Sequence, residues 1–161
     1  MSSGGGGAAS ARGRSATAML ELIFSTSRAG AEAFAWREPF AVISITDPGS
    51  KPVSFEQSKP LARCDLQFWD VVDGVESDLF DAAMARRALE FVERECGEAT
   101  LLVVHCEAGI SRSTAMAESL GRIHNVAVRH HNALYVNPNP LVARLVAEQA
   151  REKIEGSKKR R

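Results

Sequence analysis

Residues 101–113, Leu-Leu-Val-Val-His-Cys-Glu-Ala-Gly-Ile-Ser-Arg-Ser, decide the fold. The first four residues form an apolar run, which is typical of a strand buried on both faces of a helix-covered sheet. A short loop with a single glycine, Gly109, follows, and a helical pattern begins near Arg112. A strand that leads through a tight loop into a helix is a building unit of α/β domains. We therefore expect this segment to lie at the centre of an α/β domain.

The flanking segments continue the alternation of strands and helices, which predicts a central, mostly parallel sheet covered by helices on both faces. Ser77 is the predicted N-cap of a helix that stops near Gly97. Asn139 is the predicted N-cap of the last helix, with Pro140 at its first position. The predicted strands cover residues 19–24, 40–45, 66–69 and 101–104, and the predicted helices cover residues 27–36, 78–96, a segment around 116–123, and 140–153.

The two ends of the 161-residue chain differ in composition from the middle. Residues 1–17 are rich in Gly, Ser and Ala and cannot bury enough apolar surface to become ordered, so we expect a flexible leader. Residues 156–161, Gly-Ser-Lys-Lys-Arg-Arg, form a basic tail that is expected to fray. The predicted domain covers residues 18–155.

Composition excludes several classes of function. Twenty basic residues balance twenty acidic ones, so no overall positive field favours nucleic acid or an anionic membrane. No apolar segment is long enough for a signal sequence or a membrane span. Three cysteines, an odd number, predict free thiols in a reducing compartment, and we expect a cytoplasmic protein.

Cys106 and Arg112 enclose five residues between the predicted strand and helix. A loop at a helix N-terminus directs backbone N–H groups and the helix dipole towards an anion. The planar guanidinium of Arg112 suits two phosphate oxygens, and the same positive field can lower a thiol pKa from about 8.5 to roughly 3.5–7.5. We call residues 106–112 the signature loop. Its predicted phosphate-binding residues are Glu107, Ala108, Gly109, Ile110, Ser111 and Arg112.

The pattern His-Cys-x-x-Gly-x-x-Arg-Ser at residues 105–113 resembles the signature of the protein tyrosine phosphatase superfamily, in particular its compact dual-specificity members. The resemblance implies a phosphatase-like fold and a phosphocysteine intermediate on Cys106, with Arg112 as the phosphate clamp. It also implies that the Ser113 hydroxyl assists the leaving thiolate. His105 is expected to orient the loop and to help lower the thiol pKa. The family uses no metal or other cofactor, and its substrates are phosphorylated proteins or small phosphomonoesters.

The resemblance also implies a general acid on a loop some thirty-odd residues before the nucleophile. Asp70 and Asp73 both fit that spacing. We favour Asp70, because it directly follows a predicted strand and lies ten residues before Phe80, as the family aspartate does before its aromatic residue. Asp73 is the second choice. Asp47 is a distant third, because turn chemistry alone explains its Asp-Pro-Gly setting.

Four further features have weaker interpretations. Cys64 is a candidate redox partner of Cys106, although a small apolar strand residue is the simpler interpretation. The pair at residues 130–131, His-His, is expected in an exposed loop, without a metal. The resemblance makes polyphosphoinositide substrates unfavourable, because the family enzymes that act on them tend to have lysines in the loop where this chain has Glu107. Residues 137–140, Asn-Pro-Asn-Pro, are expected to start the last helix and contact the signature loop.

Three other functions remain open from the sequence. The chain could be a non-catalytic phosphate-binding pseudophosphatase. It could be an RNA 5′-phosphatase, for which the basic tail is weak support. A rhodanese-like sulfurtransferase or an arsenate reductase also uses a Cys-x5-Arg loop, but His105 and Ser113 favour the phosphatase. The sequence does not indicate an oligomeric state.

Overall fold

A computed structural model describes residues 19–73 and 77–161. The predicted leader, residues 1–17, lies outside the described residues. The centre of the described part is a five-stranded sheet in which every neighbouring pair of strands is parallel. The strand order is β3-β2-β4-β1-β5. The strands are β1 (Leu22–Ser27), β2 (Phe40–Thr46), β3 (Ala62–Gln67), β4 (Leu101–Cys106) and β5 (Ala127–His130).

Helices cover the sheet on both faces, which confirms the predicted α/β architecture. Three long helices, α2, α3 and α4, share the larger hydrophobic core with one face. The short helix α1 and the segments around Trp36 and Phe55 cover the other face. None of the described helices has the length and apolar composition needed to cross a membrane. The helices are α1 (Arg28–Ala33), α2 (Ala82–Arg94), α3 (Arg112–His124) and α4 (Pro140–Lys159), and a 3₁₀ turn spans Ala133–Tyr135.

Strand β4 is the central strand that the apolar run predicts. All six of its residues are buried. Leu102, Val104 and Cys106 face the larger core, whereas Leu101 and Val103 face the smaller one. Because all strands are parallel, their carboxyl ends lie at the same edge of the sheet. The signature loop leaves β4 at this edge.

Several element boundaries differ from the prediction. Strand β3 starts at Ala62, because residues 62–67 pair with residues 41–46 of β2, and Phe68 and Trp69 lie beyond the strand. Strand β5 was not predicted, because it is a short edge strand without an apolar run. Helix α4 continues to Lys159, past the predicted end near Lys153, so most of the expected frayed tail is helical.

The predicted N-cap of α2 at Ser77 is wrong. Helix α2 begins at Ala82, and the Asp81 side chain accepts a hydrogen bond from the Met84 N–H at 2.9 Å. Ser77 is exposed. Asp78, which was expected in the first helical turn, has a φ of 67° and lies in the left-handed region, so the helix cannot extend back to it.

Replacing the true cap should cost stability, whereas replacing the predicted cap should not. We expect Asp81→Ala to lower the free energy of unfolding by about 1 kcal/mol, because the Met84 N–H loses its acceptor. The matched control Ser77→Ala should stay within about 0.5 kcal/mol of the wild type. Urea denaturation of the three proteins measures both changes. Equal losses in the two variants would contradict this assignment of the cap.

Candidate active site

The signature loop turns tightly between β4 and α3, and Gly109 makes the turn possible. Its φ of 73° is in the left-handed region. A Cβ atom at this position would lie 2.6 Å from the Ser27 backbone nitrogen at the end of β1. Such a contact is far too short, so only glycine fits here. The loop backbone at Gly109 therefore packs directly against the end of β1.

Cys106 lies at the base of this loop. The residue is 2% exposed. Its Sγ atom accepts a hydrogen bond from the Gly109 N–H at 3.2 Å and lies 3.1 Å from Ser113 Oγ. The structure therefore brings the predicted nucleophile, the loop glycine and the predicted assisting hydroxyl together.

Most backbone donors of the loop are unpaired. The N–H groups of residues 107, 108, 110 and 111 make no hydrogen bond with the described residues. Ser111 occupies the N-cap position of α3, but its side chain does not cap the helix. Its hydroxyl donates to Asp70 instead. The loop and the helix start thus keep donors available for an anion.

Arg112 lies at the first position of α3, and the hydrogen bonds of its guanidinium with the described residues all involve one terminal nitrogen. The residue is 5% exposed, and one terminal nitrogen donates to Asp47 Oδ1 at 2.8 Å and to the Phe68 carbonyl at 2.7 Å. Its Nε atom is buried and has no hydrogen-bond partner among the described residues. A buried donor without an acceptor is costly unless a ligand satisfies it.

The interpretation of Asp47 as a turn residue alone is incomplete. It directly follows β2, the strand beside β4, and its carboxylate forms an ion pair with Arg112. The position of Asp47 after a predicted apolar strand was the available signal, because carboxyl ends of parallel strands meet at one edge. The strand order that makes β2 and β4 neighbours was not readable from the sequence.

His105 is fully buried on the opposite side of β4 from Cys106. Its Nε2 atom lies 2.6 Å from Ser44 Oγ on β2. Burial lowers the pKa of His105 to about 4, since the charged form loses its hydration. The imidazole is then neutral near pH 7. It links two strands at the base of the loop but supplies no net positive charge to the thiol.

Of the two favoured aspartates, the structure brings Asp70 to the loop. Asp70 Oδ1 accepts a hydrogen bond from Ser111 Oγ at 2.8 Å and another from Asn139 Nδ2 at 2.8 Å. Asp73 is exposed and makes neither a hydrogen bond nor an ion pair with the described residues. The geometry therefore favours the first choice over the second.

The start of the loop has a partner that the sequence analysis missed. The Glu107 carboxylate lies 3.3 Å from the Arg28 guanidinium, at the start of α1. The Arg28 N–H also donates to the Glu107 carbonyl at 3.2 Å. The negative charge of Glu107 is thus drawn towards Arg28, which partly neutralises it.

The segment before α4 contacts the other end of the loop, as predicted. The Asn137 N–H donates to the Ile110 carbonyl at 2.9 Å, and the Asn139 N–H donates to the Ser111 carbonyl at 3.1 Å. Asn139 also caps α4, which Pro140 opens. The N-cap prediction for this helix is confirmed.

Cys64 cannot form a disulfide with Cys106 in this fold. Cys64 pairs with Ile43, and Ile43 pairs with Val104 on the far side of β2. One intervening strand and two residues along the strand axis separate the two Cα atoms by about 12 Å. A disulfide needs less than about 7 Å. Burial also raises the pKa of Cys64 to about 11, which makes it unreactive.

The expectation that the two neighbouring histidines lie in an exposed loop is only partly correct. His130 belongs to β5 and is half-buried, with Nδ1 2.5 Å from Ser25 Oγ and Nε2 3.1 Å from Glu118 Oε1. His131 is exposed, and its Nδ1 lies 2.9 Å from Thr26 Oγ1. Within residues 19–73 and 77–161, no three His, Cys, Asp or Glu residues are arranged to hold a metal ion.

Comparison with known proteins does not assign the chain to a family. No protein-family model matches it. No curated protein matches it either.

The burial of His105 should make stability depend on pH. Because the pKa of His105 is about 4 in the folded state and about 6.5 when unfolded, only the unfolded chain takes up this proton between those values. We expect His105 to account for a loss of about 2 kcal/mol between pH 7 and pH 5. In His105→Gln, which keeps a nitrogen near Ser44, the total loss should be smaller by this amount. Urea denaturation at both pH values measures it, and identical losses in the two proteins would contradict the assignment.

Proposed function

We propose that this protein is a cysteine-dependent phosphatase of the protein tyrosine phosphatase type, which hydrolyses phosphomonoesters through a phosphocysteine intermediate. The proposal rests on the groups around Cys106 Sγ and on the guanidinium of Arg112. The Gly109 N–H and Ser113 Oγ lie within hydrogen-bond distance of the sulfur, and the buried Nε atom of Arg112 has no partner among the described residues. A sulfur nucleophile at the base of a loop in which the N–H groups of residues 107, 108, 110 and 111 have no partner among the described residues suits attack on a bound oxyanion.

The donors of the site match a phosphate dianion in number and type. Four backbone N–H groups in the loop have no partner within residues 19–73 and 77–161, and the amino-terminal end of α3 adds its dipole. Arg112 adds a full positive charge, and Asp47 and the Phe68 carbonyl hold one edge of its guanidinium. The other edge is then available to phosphate oxygens, which a guanidinium binds in pairs.

In the first step, the Cys106 thiolate attacks phosphorus from the side opposite the ester oxygen. A sulfur–phosphorus bond forms and the phosphorus–oxygen bond breaks. Asp70 in its protonated form gives its proton to the departing oxygen, so that an alcohol or phenol leaves. The loop donors and Arg112 stabilise the charge on the three transferred oxygens.

In the second step, water attacks the phosphocysteine. The Asp70 carboxylate accepts a proton from that water, the sulfur–phosphorus bond breaks, and inorganic phosphate forms. The thiolate is regenerated, and the Ser113 hydroxyl, 3.1 Å away, can donate a hydrogen bond to it. Both steps use the same carboxyl group in opposite protonation states.

The position of Asp70 supports a hydrolase over the alternatives. A phosphate-binding pseudophosphatase or a sulfurtransferase needs no proton donor beside the loop, whereas Asp70 is held there by two hydrogen bonds. We propose phosphorylated proteins or small phosphomonoesters as substrates. The three unpaired cysteines suit a reducing compartment, and we propose the cytoplasm.

Removing the nucleophile should abolish turnover. We expect Cys106→Ser to lower the rate of p-nitrophenyl phosphate hydrolysis by several orders of magnitude, because a serine hydroxyl is not ionised at neutral pH. Cys64→Ser is the matched control and should keep at least about half of the wild-type kcat/KM, since Cys64 lies across β2 from the site. Undiminished hydrolysis by Cys106→Ser would overturn the proposed mechanism.

Removing the proton donor should matter most for poor leaving groups. We expect Asp70→Asn to lower kcat/KM for phenyl phosphate by roughly a hundredfold or more, because phenolate needs a proton when it departs. The loss should be much smaller for p-nitrophenyl phosphate, whose leaving group is a weaker base. Asp73→Asn, the matched control, should change neither value by more than about twofold. The reverse result would identify Asp73 as the general acid.

A further inference from the structure

Asn139 joins three parts of the molecule that meet beside the candidate site. The residue is 3% exposed and lies at the N-cap of α4. Its backbone N–H donates to the Ser111 carbonyl in the signature loop at 3.1 Å. Its side chain reaches both the start of the helix and the segment that carries Asp70. A fully satisfied buried amide in such a place constrains the groups around it.

The helix dictates which way the Asn139 amide points. Its Oδ1 atom accepts hydrogen bonds from the Leu141 N–H at 2.9 Å and the Val142 N–H at 3.2 Å. Because two helix donors require an oxygen there, the amide nitrogen must lie on the opposite side. There Nδ2 donates to Asp70 Oδ1 at 2.8 Å and is 3.4 Å from the Val71 carbonyl.

Asp70 is thereby anchored through a single oxygen. Its Oδ1 atom accepts from Asn139 Nδ2 and from Ser111 Oγ, each at 2.8 Å. An oxygen that accepts two hydrogen bonds is a poor position for a proton, so Oδ2 is the oxygen better placed to accept and donate one. Oδ2 makes no hydrogen bond with the described residues.

We propose that Asn139 is a positioning residue that sets the orientation of the Asp70 carboxyl, so that Oδ2 carries the proton given to the leaving group. This inference rests on the proposed phosphatase function and on Asp70 as its acid. Asp70 is an exposed residue on an irregular segment, and without this anchor its side chain would exchange between rotamers. A single misdirected proton donor can cost a large part of the general-acid contribution.

Two substitutions of Asn139 remove its hydrogen bond to Asp70 but keep an oxygen that caps α4. Asn139→Asp keeps an oxygen for the two helix N–H groups but replaces the donor to Asp70 by a second carboxylate oxygen. Asn139→Ser also keeps a cap oxygen, but the shorter side chain does not reach Asp70. Thermal unfolding verifies that each variant folds, and the serine variant keeps the test valid if the aspartate variant does not fold.

The measurement is kcat/KM for phenyl phosphate and for p-nitrophenyl phosphate. We expect Asn139→Ser and Asn139→Asp to lower the phenyl phosphate value about tenfold to a hundredfold, the range for loss of a hydrogen bond to a charged group. The p-nitrophenyl phosphate value should fall by less than about threefold, since that leaving group depends little on the acid. Added to Asp70→Asn, either substitution should cause little further loss with phenyl phosphate, because the group it positions is already absent.

Asn132→Asp is the matched control for added negative charge. Asn132 is exposed and lines a cleft with Ala108 on the other side of the signature loop. Its substitution should reduce both kcat/KM values equally, through repulsion of the dianionic substrate. Equal losses for the two substrates in the Asn139 variants of an active enzyme would refute the positioning role and leave the phosphatase intact. A wild-type protein without phosphomonoesterase activity would refute the proposed function and this inference with it.

Discussion

The close approach of Gly109 to the end of β1 is the constraint on which the site depends. With no Cβ atom, the loop backbone can lie against Ser27 and adopt a positive φ. This bend leads the chain from Cys106 into α3 with five residues between Cys106 and Arg112, and the N–H groups of residues 107, 108, 110 and 111 have no hydrogen-bond partner among the described residues. Any larger side chain would push the loop away from β1 and disperse those donors.

The parallel sheet assembles the rest of the site from separate parts of the chain. Asp47 follows β2, Phe68 and Asp70 follow β3, and the signature loop follows β4. Parallel strands place all these carboxyl ends at one edge, which is where ligands bind in many open α/β sheets. Arg112 is the clearest consequence, because its guanidinium is held by groups that follow two different strands. Asp47 and the Phe68 carbonyl both bind a terminal nitrogen, whereas the buried Nε atom has no hydrogen-bond partner in the described part of the chain.

A second set of contacts connects the last helix to this edge. The Asn139 side chain caps α4 with its oxygen and binds Asp70 with its nitrogen, while its backbone binds the Ser111 carbonyl. A helix-capping residue therefore also orders the segment that carries a titratable group. Helix α4, which packs against α2 and α3, therefore begins at a residue that contacts both the signature loop and Asp70.

Local patterns were sufficient for the α/β class, the buried central strand, the N-cap of α4 and the grouping of Cys106, Gly109 and Ser113. Each of these follows from residues close together in the chain, so periodicity and spacing report them directly. The edge strand β5 and the partners of Arg112 and Glu107 were not readable in this way. They depend on strand order and on contacts between residues far apart in sequence, and no local pattern encodes which strands become neighbours. The chemical groups of the motif therefore come from residues close together in sequence. The contacts that orient those groups form only when distant segments pack together.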